Sequence, residues 1–352
     1  MRSSRYFALT ILRRHASRGV KSQHRGENEL YGLQRAESTI MINTQSTSNF
    51  RLDTYMRKPL IGTVFWLIVT ITTQAQVADK FAQIKPKLEQ FITASGAETV
   101  SISVYDTRSK QSLRINDQIQ LHAASTMKLP VMMELFRQAA QKQIRLDDQI
   151  IVKNEFSSIV DGSRYQLNAS DDSDDWMYKK LGQSLTIRTS IERMIVRSSN
   201  LATNLLIEKA QPENVMKLMR QLGANDIQVR RGVEDNKAFR AGLNNTTTAY
   251  DLMLLLKTIA EKKFINARFC EDMLAILLKQ EFNEGIPTKL PAGTKVAHKT
   301  GSITRIYHDA AIVYPPNRKP YVIVVLTRGF EYEKRAHQLV AEISQAVYQA
   351  LQ

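Results

Sequence analysis

Hydrophobic positions along the chain follow two periods, and the changes between them divide it into lobes. Across 76–95, Val77, Phe81, Ile84, Leu88 and Ile92 stand three or four residues apart on one helical face, predicting an amphipathic helix. Strict alternation follows, with Val100, Ile102 and Val104 set against Ser101, Ser103 and Tyr105. A turn at 108–111 then leads to Leu113 and Ile115, so this stretch predicts a hairpin. From about 121 to 285 the spacing is mostly helical. Pro212 opens one helix and Gly223 closes it. Thr248, three residues before Asp251, caps another that runs through 252–259. Strand patterns return at 295–302, 310–314 and 321–327, before a last helix over 331–351.

Two strands at one end and three at the other must meet to hide their apolar faces. The expected fold is α/β in the α+β sense: a five-stranded antiparallel sheet flanked by N- and C-terminal helices, with an inserted all-helical lobe. The sheet lobe takes residues 76–120 and 286–352, and the helical lobe takes 121–285. No internal repeat is present, and the cleft between lobes is the natural place for a ligand.

The 352 residues are 43% hydrophobic, enough for a substantial core and unlike a disordered or collagen-like chain. A single cysteine, Cys270, excludes an internal disulfide framework and a multi-cysteine metal site; on a helix near 266–279 its thiol needs no partner. The formal charge of +15 taken alone points to nucleic acid or a membrane surface. Its distribution changes that picture. Residues 1–75 carry eleven basic side chains against four acidic ones, nearly half of the excess. Within them Met56-Arg57-Lys58 precedes an apolar run, Leu60 to Ile71, and then Thr73-Gln74-Ala75. That is the plan of a secretory signal peptide over 56–75. The run falls short of the about 20 apolar residues of a membrane span, so no stable span is expected. Residues 1–55 read as a disordered extension or a mis-assigned start. The alternative keeps Met1 as the true start and makes 60–71 an internal apolar segment or weak anchor. Residues 76–352 are then one catalytic domain, periplasmic or secreted, monomeric and without a nucleic-acid partner.

His122-Ala123-Ala124-Ser125-Thr126-Met127-Lys128 leads into an apolar helix over 129–136. Serine is a poor nucleophile without a nearby base. Ser125 and Lys128, three residues apart, project from one face of a helical turn. A desolvated lysine can lose its proton and serve as that base. Alone, S-x-x-K arises about once by chance in a chain this long, and reads as a capping serine beside a surface lysine. Two further elements accompany it: Ser198-Ser199-Asn200 at a break between helices, and Lys299-Thr300-Gly301-Ser302 on a strand.

In this order the three resemble the S-x-x-K, S-D-N and K-T-G set of class A β-lactamases and penicillin-binding proteins. The resemblance covers essentially all of 76–352 and extends to Leu201-Ala202-Thr203-Asn204-Leu205-Leu206, Thr246-Thr247-Thr248 and Tyr314-Pro315-Pro316. It implies an exported serine β-lactamase that conducts β-lactam hydrolysis through an acyl-Ser125 intermediate and confers resistance, with no cofactor and no metal. Lys128 would activate Ser125 directly or through a water. Backbone N–H groups of Ser125 and Ser302 would form the oxyanion hole, and Ser198 would relay a proton to the departing nitrogen. Asn200 would hold the substrate's side-chain amide. Lys299, Thr300 and Ser302 would bind its ring carboxylate, while Gly301 lets the strand approach the substrate backbone.

Deacylation needs a carboxylate to activate water. The implied group is Glu234, in Arg231-Gly232-Val233-Glu234-Asp235 on a long loop over about 230–245; the alternative is a solvated acid paired with Arg231. Three positions depart from the family pattern. Ala238 stands where an asparagine usually helps hold the water, and Asn236 is the nearest amide. Asn245 replaces an aspartate, so the usual ion pair closing the loop cannot form. Ser199 replaces the aspartate of the second motif, removing a charge that supports the local backbone. These departures keep two alternatives open: a D-Ala-D-Ala peptidase-like serine hydrolase, or a non-hydrolytic penicillin-binding sensor.

Two sharper readings do not fit. Asp171, Asp172, Asp174 and Asp175 lack the glycine and terminal glutamate of a calcium loop and read as a solvated acidic turn. His298, His308 and Asp309 lack a G-x-S-x-G elbow for a triad with Ser125, and His298 reads as structural because it faces away from Lys299.

Overall fold

The computed structural model describes residues 80–352. The expected extension over 1–55, the leader over 56–75 and the first turn of the opening helix lie outside the described residues. Within them, helix α1 (80–95) buries Phe81, Ile84 and Leu88, the stripe expected from their spacing. Strands β1 (Thr99–Asp106) and β2 (Ser112–Ile115) form the hairpin. The remaining three strands are β3 (Lys295–Ile303), β4 (Ile306–Tyr314) and β5 (Tyr321–Arg328), followed by the C-terminal helix Glu333–Leu351. They complete one antiparallel sheet in the order β2-β1-β5-β4-β3, with Val104 opposite Ile323 and Lys299 opposite Ala310.

This is the five-stranded sheet expected from the sequence, but both of its faces are covered. Ser101 and Ser103 on β1 are fully buried alongside Val100, Ile102 and Val104, so the polar half of the alternation does not face water. One face packs α1 and the C-terminal helix: Leu88, Ile102, Val104, Ile323, Val340 and Val347 share a core. The opposite face supplies Ala310, Ile312, Val322, Val324 and Leu326 to the larger core of the inserted lobe. β4 also starts four residues before the expected 310, because His308 and Asp309 point into protein and are hydrogen-bonded there.

The inserted lobe is not all-helical. Short antiparallel pairings join Leu121–His122 to Thr246–Thr247, Gln149–Ile151 to Ser184–Thr186 and Phe156–Ser157 to Arg164–Tyr165. The long loop over 230–245 likewise contains a short helix, Asn236–Arg240, whose N-terminus the Asp235 carboxylate caps by accepting from Ala238 N at 3.0 Å. The expected caps elsewhere are present. Thr248 Oγ1 accepts from Asp251 N at 3.0 Å, and Pro212 opens Pro212–Gln221 ahead of Gly223 at φ +80°.

At the centre lies the helix Lys128–Ala140, buried along most of its length, with its one acidic side chain, Glu134, paired to Arg137. Leu129, Val131, Met132, Met133, Leu135 and Phe136 are all fully buried. Each contributes about 1.5–3 kcal/mol by the usual area relation. Truncating Phe136 to alanine costs about 3–5 kcal/mol. The rigidity of this helix fixes the residues at its N-terminus, where the chemistry sits. Cys270 is buried on Ala267–Leu277 and its Sγ donates to Phe264 O at 3.0 Å, an inert core position.

Candidate active site

The helix Lys128–Ala140 is preceded by a 3₁₀ turn, Ala124–Met127, that presents Ser125. Ala124 enters the turn with φ +45°, a strained conformation for a residue with a Cβ. Ser125 is half-buried and lines a cleft of about 460 Å³, while Lys128 has no exposed surface. The cleft is also lined by Asn200, Glu234, Phe239 and Ser302, so one concavity gathers residues from distant parts of the chain.

Edge strand β3 closes against the turn. Gly301 permits that contact: a Cβ there would stand 3.0 Å from Thr126 N and 3.1 Å from Ser125 N. The close approach expected of this glycine is therefore made to the backbone of the serine turn itself. It brings Lys299 to the same place as Lys128. Lys299 Nζ donates to Ser198 Oγ at 3.0 Å and to Thr300 O at 2.8 Å. Lys128 Nζ donates to Ser198 Oγ at 3.2 Å, to Ser198 O at 2.5 Å and to Asn200 Oδ1 at 3.1 Å. Thus the Ser198 hydroxyl sits between two buried ammonium groups.

That hydroxyl is aimed by its backbone. Ser198 has φ +55° in the break between Ile187–Val196 and Asn200–Ala210. Ser199 caps the second helix by accepting from Ala202 N at 3.2 Å, which leaves Asn200 as its first residue and directs the amide into the cleft.

Two buried cations 3.0 and 3.2 Å from one hydroxyl cannot both keep ordinary proton affinity. Burial lowers Lys128 to about 7 against the opposing attraction of Asp172 and Glu234. Burial, then the charge of Lys128, holds Lys299 well below its ordinary value. A lysine poised near neutrality one turn from a serine can accept the hydroxyl proton.

Glu234 enters from the opposite wall, again through a strained residue, at φ +62°. Its Oε1 accepts from Asn200 Nδ2 at 3.3 Å, its Oε2 from Asn168 N at 3.4 Å, and burial raises its pKa. It is not paired with Arg231. The Arg231 guanidinium instead donates to Leu243 O, Gly232 O and Asn244 Oδ1, at 3.2, 3.0 and 3.0 Å.

Asn245 closes the loop by hydrogen bonds where an ion pair was expected to be missed. Its Oδ1 accepts from the N–H groups of Arg230 and Arg231, and its Nδ2 donates to Arg231 O at 2.9 Å. Asn204, on the helix after the second motif, fixes the residue beside Glu234. Its Oδ1 accepts from Val233 N at 2.6 Å and its Nδ2 donates to Val233 O at 3.0 Å. A buried asparagine on an apolar helix is the signal that could have singled it out.

The acidic turn is also more than solvated. Asp174 is buried and ion-paired to Arg193, and Asp172 accepts from Leu201 N at 2.9 Å. The histidines behave as expected. His298 is bonded to Asp309 Oδ1 and to Asn283 Oδ1, at 2.9 and 3.3 Å. His308 bonds to His122 O at 2.9 Å, and burial lowers its pKa to about 4.

A serine and a lysine one turn apart, beneath an edge strand bearing a second lysine and beside a helical lobe, are the build of the penicillin-recognising serine hydrolases. The chain belongs to the beta-lactamase enzyme family, which matches residues 83–351. A beta-lactamase of Bacteroides uniformis is 25% identical over 304 residues, covering 83% of this chain and 97% of the relative. Among solved structures, a beta-lactamase from Sphaerobacter thermophilus DSM 20745 shares the fold at TM-score 0.62 and 24% identity, covering 78% of this chain and 97% of that one. PBP-A does so at TM-score 0.66 and 23% identity, covering 76% and 96%.

Proposed function

We propose that the chain is an exported, class A-like serine β-lactamase that opens the β-lactam amide through an acyl-Ser125 intermediate, so conferring β-lactam resistance. The observation that carries this is the convergence of Lys128 and Lys299 on the Ser198 hydroxyl at the wall of the cleft that holds Ser125 and Glu234. The ring carboxylate of the substrate meets Lys299, Thr300 and Ser302, and brings a counter-charge to buried Lys299. Neutral Lys128 takes the proton of Ser125, directly or through a water, as Oγ bonds to the carbonyl carbon. The Ser125 and Ser302 N–H groups hold the oxyanion. The C–N bond breaks and the nitrogen receives a proton through Ser198. Asn200 holds the substrate's side-chain amide. Glu234 then takes a proton from water as the water oxygen attacks the ester; the bond from the carbonyl carbon to Ser125 Oγ breaks, Oγ regains a proton, and the acid product leaves.

The absence of an amide at Ala238, which is buried on the loop helix, favours a second reading: a peptidase-like hydrolase or sensor that acylates and deacylates slowly. A chromogenic cephalosporin given to the full chain, Ser125→Ala and Glu234→Ala separates these. Sustained turnover lost in both variants supports the lactamase. A stoichiometric burst without turnover supports the second reading, with release of D-Ala from a peptide choosing the peptidase. No covalent adduct on Ser125 overturns both. Export through 56–75 places the enzyme in the periplasm or outside the cell; a mature N-terminus at Gln76 in the secreted fraction tests it, and retention of Met56 overturns it.

A further inference from the structure

Asp172 lies outside all three motifs, yet it reaches the start of the helix Asn200–Ala210. Its Oδ2 accepts from Leu201 N at 2.9 Å and from Ser199 Oγ at 3.4 Å, and Tyr178 OH donates to the same oxygen at 3.2 Å. The turn carrying it is fixed from two sides. Asp174 pairs with Arg193, and Ser173 Oγ donates to Arg197 O at 2.5 Å. Asp172 Oδ1 itself accepts from Asp174 N at 3.1 Å. A carboxylate so held, at a helix N-terminus with free N–H groups, stabilises that terminus by hydrogen bonding and by the helix dipole.

The consequence lies one residue away. Asn200 is the first residue of this helix, and it touches Lys128 with its Oδ1 and Glu234 with its Nδ2. Moving the helix start moves both contacts. Asp172 also attracts the Lys128 charge, as Glu234 does. Ser199, which holds no charge, occupies the cap position beside it.

We propose that Asp172 is a positioning residue that supplies from a neighbouring turn the carboxylate absent at Ser199, orienting Asn200 and, through the Asn200 Oδ1 contact, Lys128. The proposal rests on the reading of Lys128 as the base for Ser125. The charged groups facing Lys128 are Asp172 and Glu234 from two loops and Lys299 from β3.

The experiment compares the full chain, Asp172→Ala, Asp172→Asn and the double variant Asp172→Ala/Ser199→Asp, which returns a carboxylate one side chain away. Two readouts are taken: the acylation rate of Ser125 with a chromogenic cephalosporin across pH, and the titration of Lys128 by NMR with labelled lysine. Asp172→Ala is expected to slow acylation about tenfold, the lower end for losing a charged hydrogen bond. It is also expected to move the Lys128 titration below about 7. Asp172→Asn, which keeps the acceptor oxygen, moves the titration with a smaller loss of rate. The double variant recovers both. An unmoved titration in Asp172→Ala and Asp172→Asn, or a loss that Ser199→Asp leaves unrecovered in a chain with normal melting, overturns the proposal. If the unmutated chain forms no adduct, the functional reading fails while the titration still decides the role of Asp172.

Discussion

Two walls of the same cleft are built by different means. On one, Ser125, Lys128, Lys299 and Gly301 sit at the ends or edges of regular elements, a central buried helix and a sheet strand. On the other, Asn200, Glu234 and the acidic turn depend on side chains that hold loops: Asn204 on Val233, Asn245 on Arg230 and Arg231, Asp172 on Leu201. The first wall gains its precision from packing, and the second from a chain of hydrogen bonds. Changes to the first should therefore abolish the initial chemistry, whereas changes to the second should slow it far less and, around Glu234, fall mainly on deacylation.

The largest effect is expected from Gly301→Val. Its side chain must enter space 3.0–3.1 Å from the backbone of Thr126 and Ser125, so β3 and the serine turn must part. Acylation should fall at least about 10²-fold, the usual effect of a misplacement near 1 Å, with a lowered Tm. A normal acylation rate would show that the packed wall tolerates movement and would break the contrast. Lys128→Arg comes next, because a guanidinium stays protonated and cannot take the serine proton. A loss of about 10²–10⁴ in acylation is expected. In the unmutated chain, the rate should rise with pH through about 7 as Lys128 loses its charge. A flat profile between pH 6 and 8 would remove Lys128 as the base.

On the second wall, Asn245→Ala removes three hydrogen bonds to the backbone of Arg230 and Arg231. Leaving those groups unpaired should cost about 2–4 kcal/mol of stability and slow deacylation more than acylation. Equal slowing of both steps would mean that the loop and the serine turn respond as one unit. The last effect leaves catalysis aside and is sought at low pH. His122 and His308, both lowered to about 4 chiefly by burial, stay neutral when folded, whereas the unfolded chain protonates them near 6.5. Both forms are neutral above that pH, so stability should fall only as pH drops from about 6.5 towards 4, by up to about 1.4 kcal/mol per unit for each group. Denaturant midpoints unchanged across that window would contradict it.

The same contrast separates what could be read in the sequence from what could not. The first wall is legible because its residues are near neighbours in sequence: Ser125 and Lys128 share a turn, and Lys299 to Ser302 share a strand. Periodicity likewise located the five strands and the central helix. The second wall joins positions far apart, such as Asn204 with Val233 or Asp172 with Leu201, and no local period marks such pairs. Asp172 and Asp174 were read as solvated because their sequence neighbours are polar, although Asp174 is buried against Arg193. Asn245 was misleading for a different reason. Loss of a charge removes an ion pair, but an amide offers a donor as well as an acceptor, and the backbone of Arg231 uses both.

Ala124, Ser198 and Glu234 all adopt left-handed backbone conformations beside the cleft, at φ +45°, +55° and +62°. Glycine would relieve that strain at each position, by about 1 kcal/mol or more where a Cβ is crowded. At Ser198 and Glu234 the gain would remove a functional side chain. At Ala124 the methyl group has no such use, so Ala124→Gly separates the two demands. A hardier chain and a faster one are thus different sequences, and they diverge at Ser198 and Glu234.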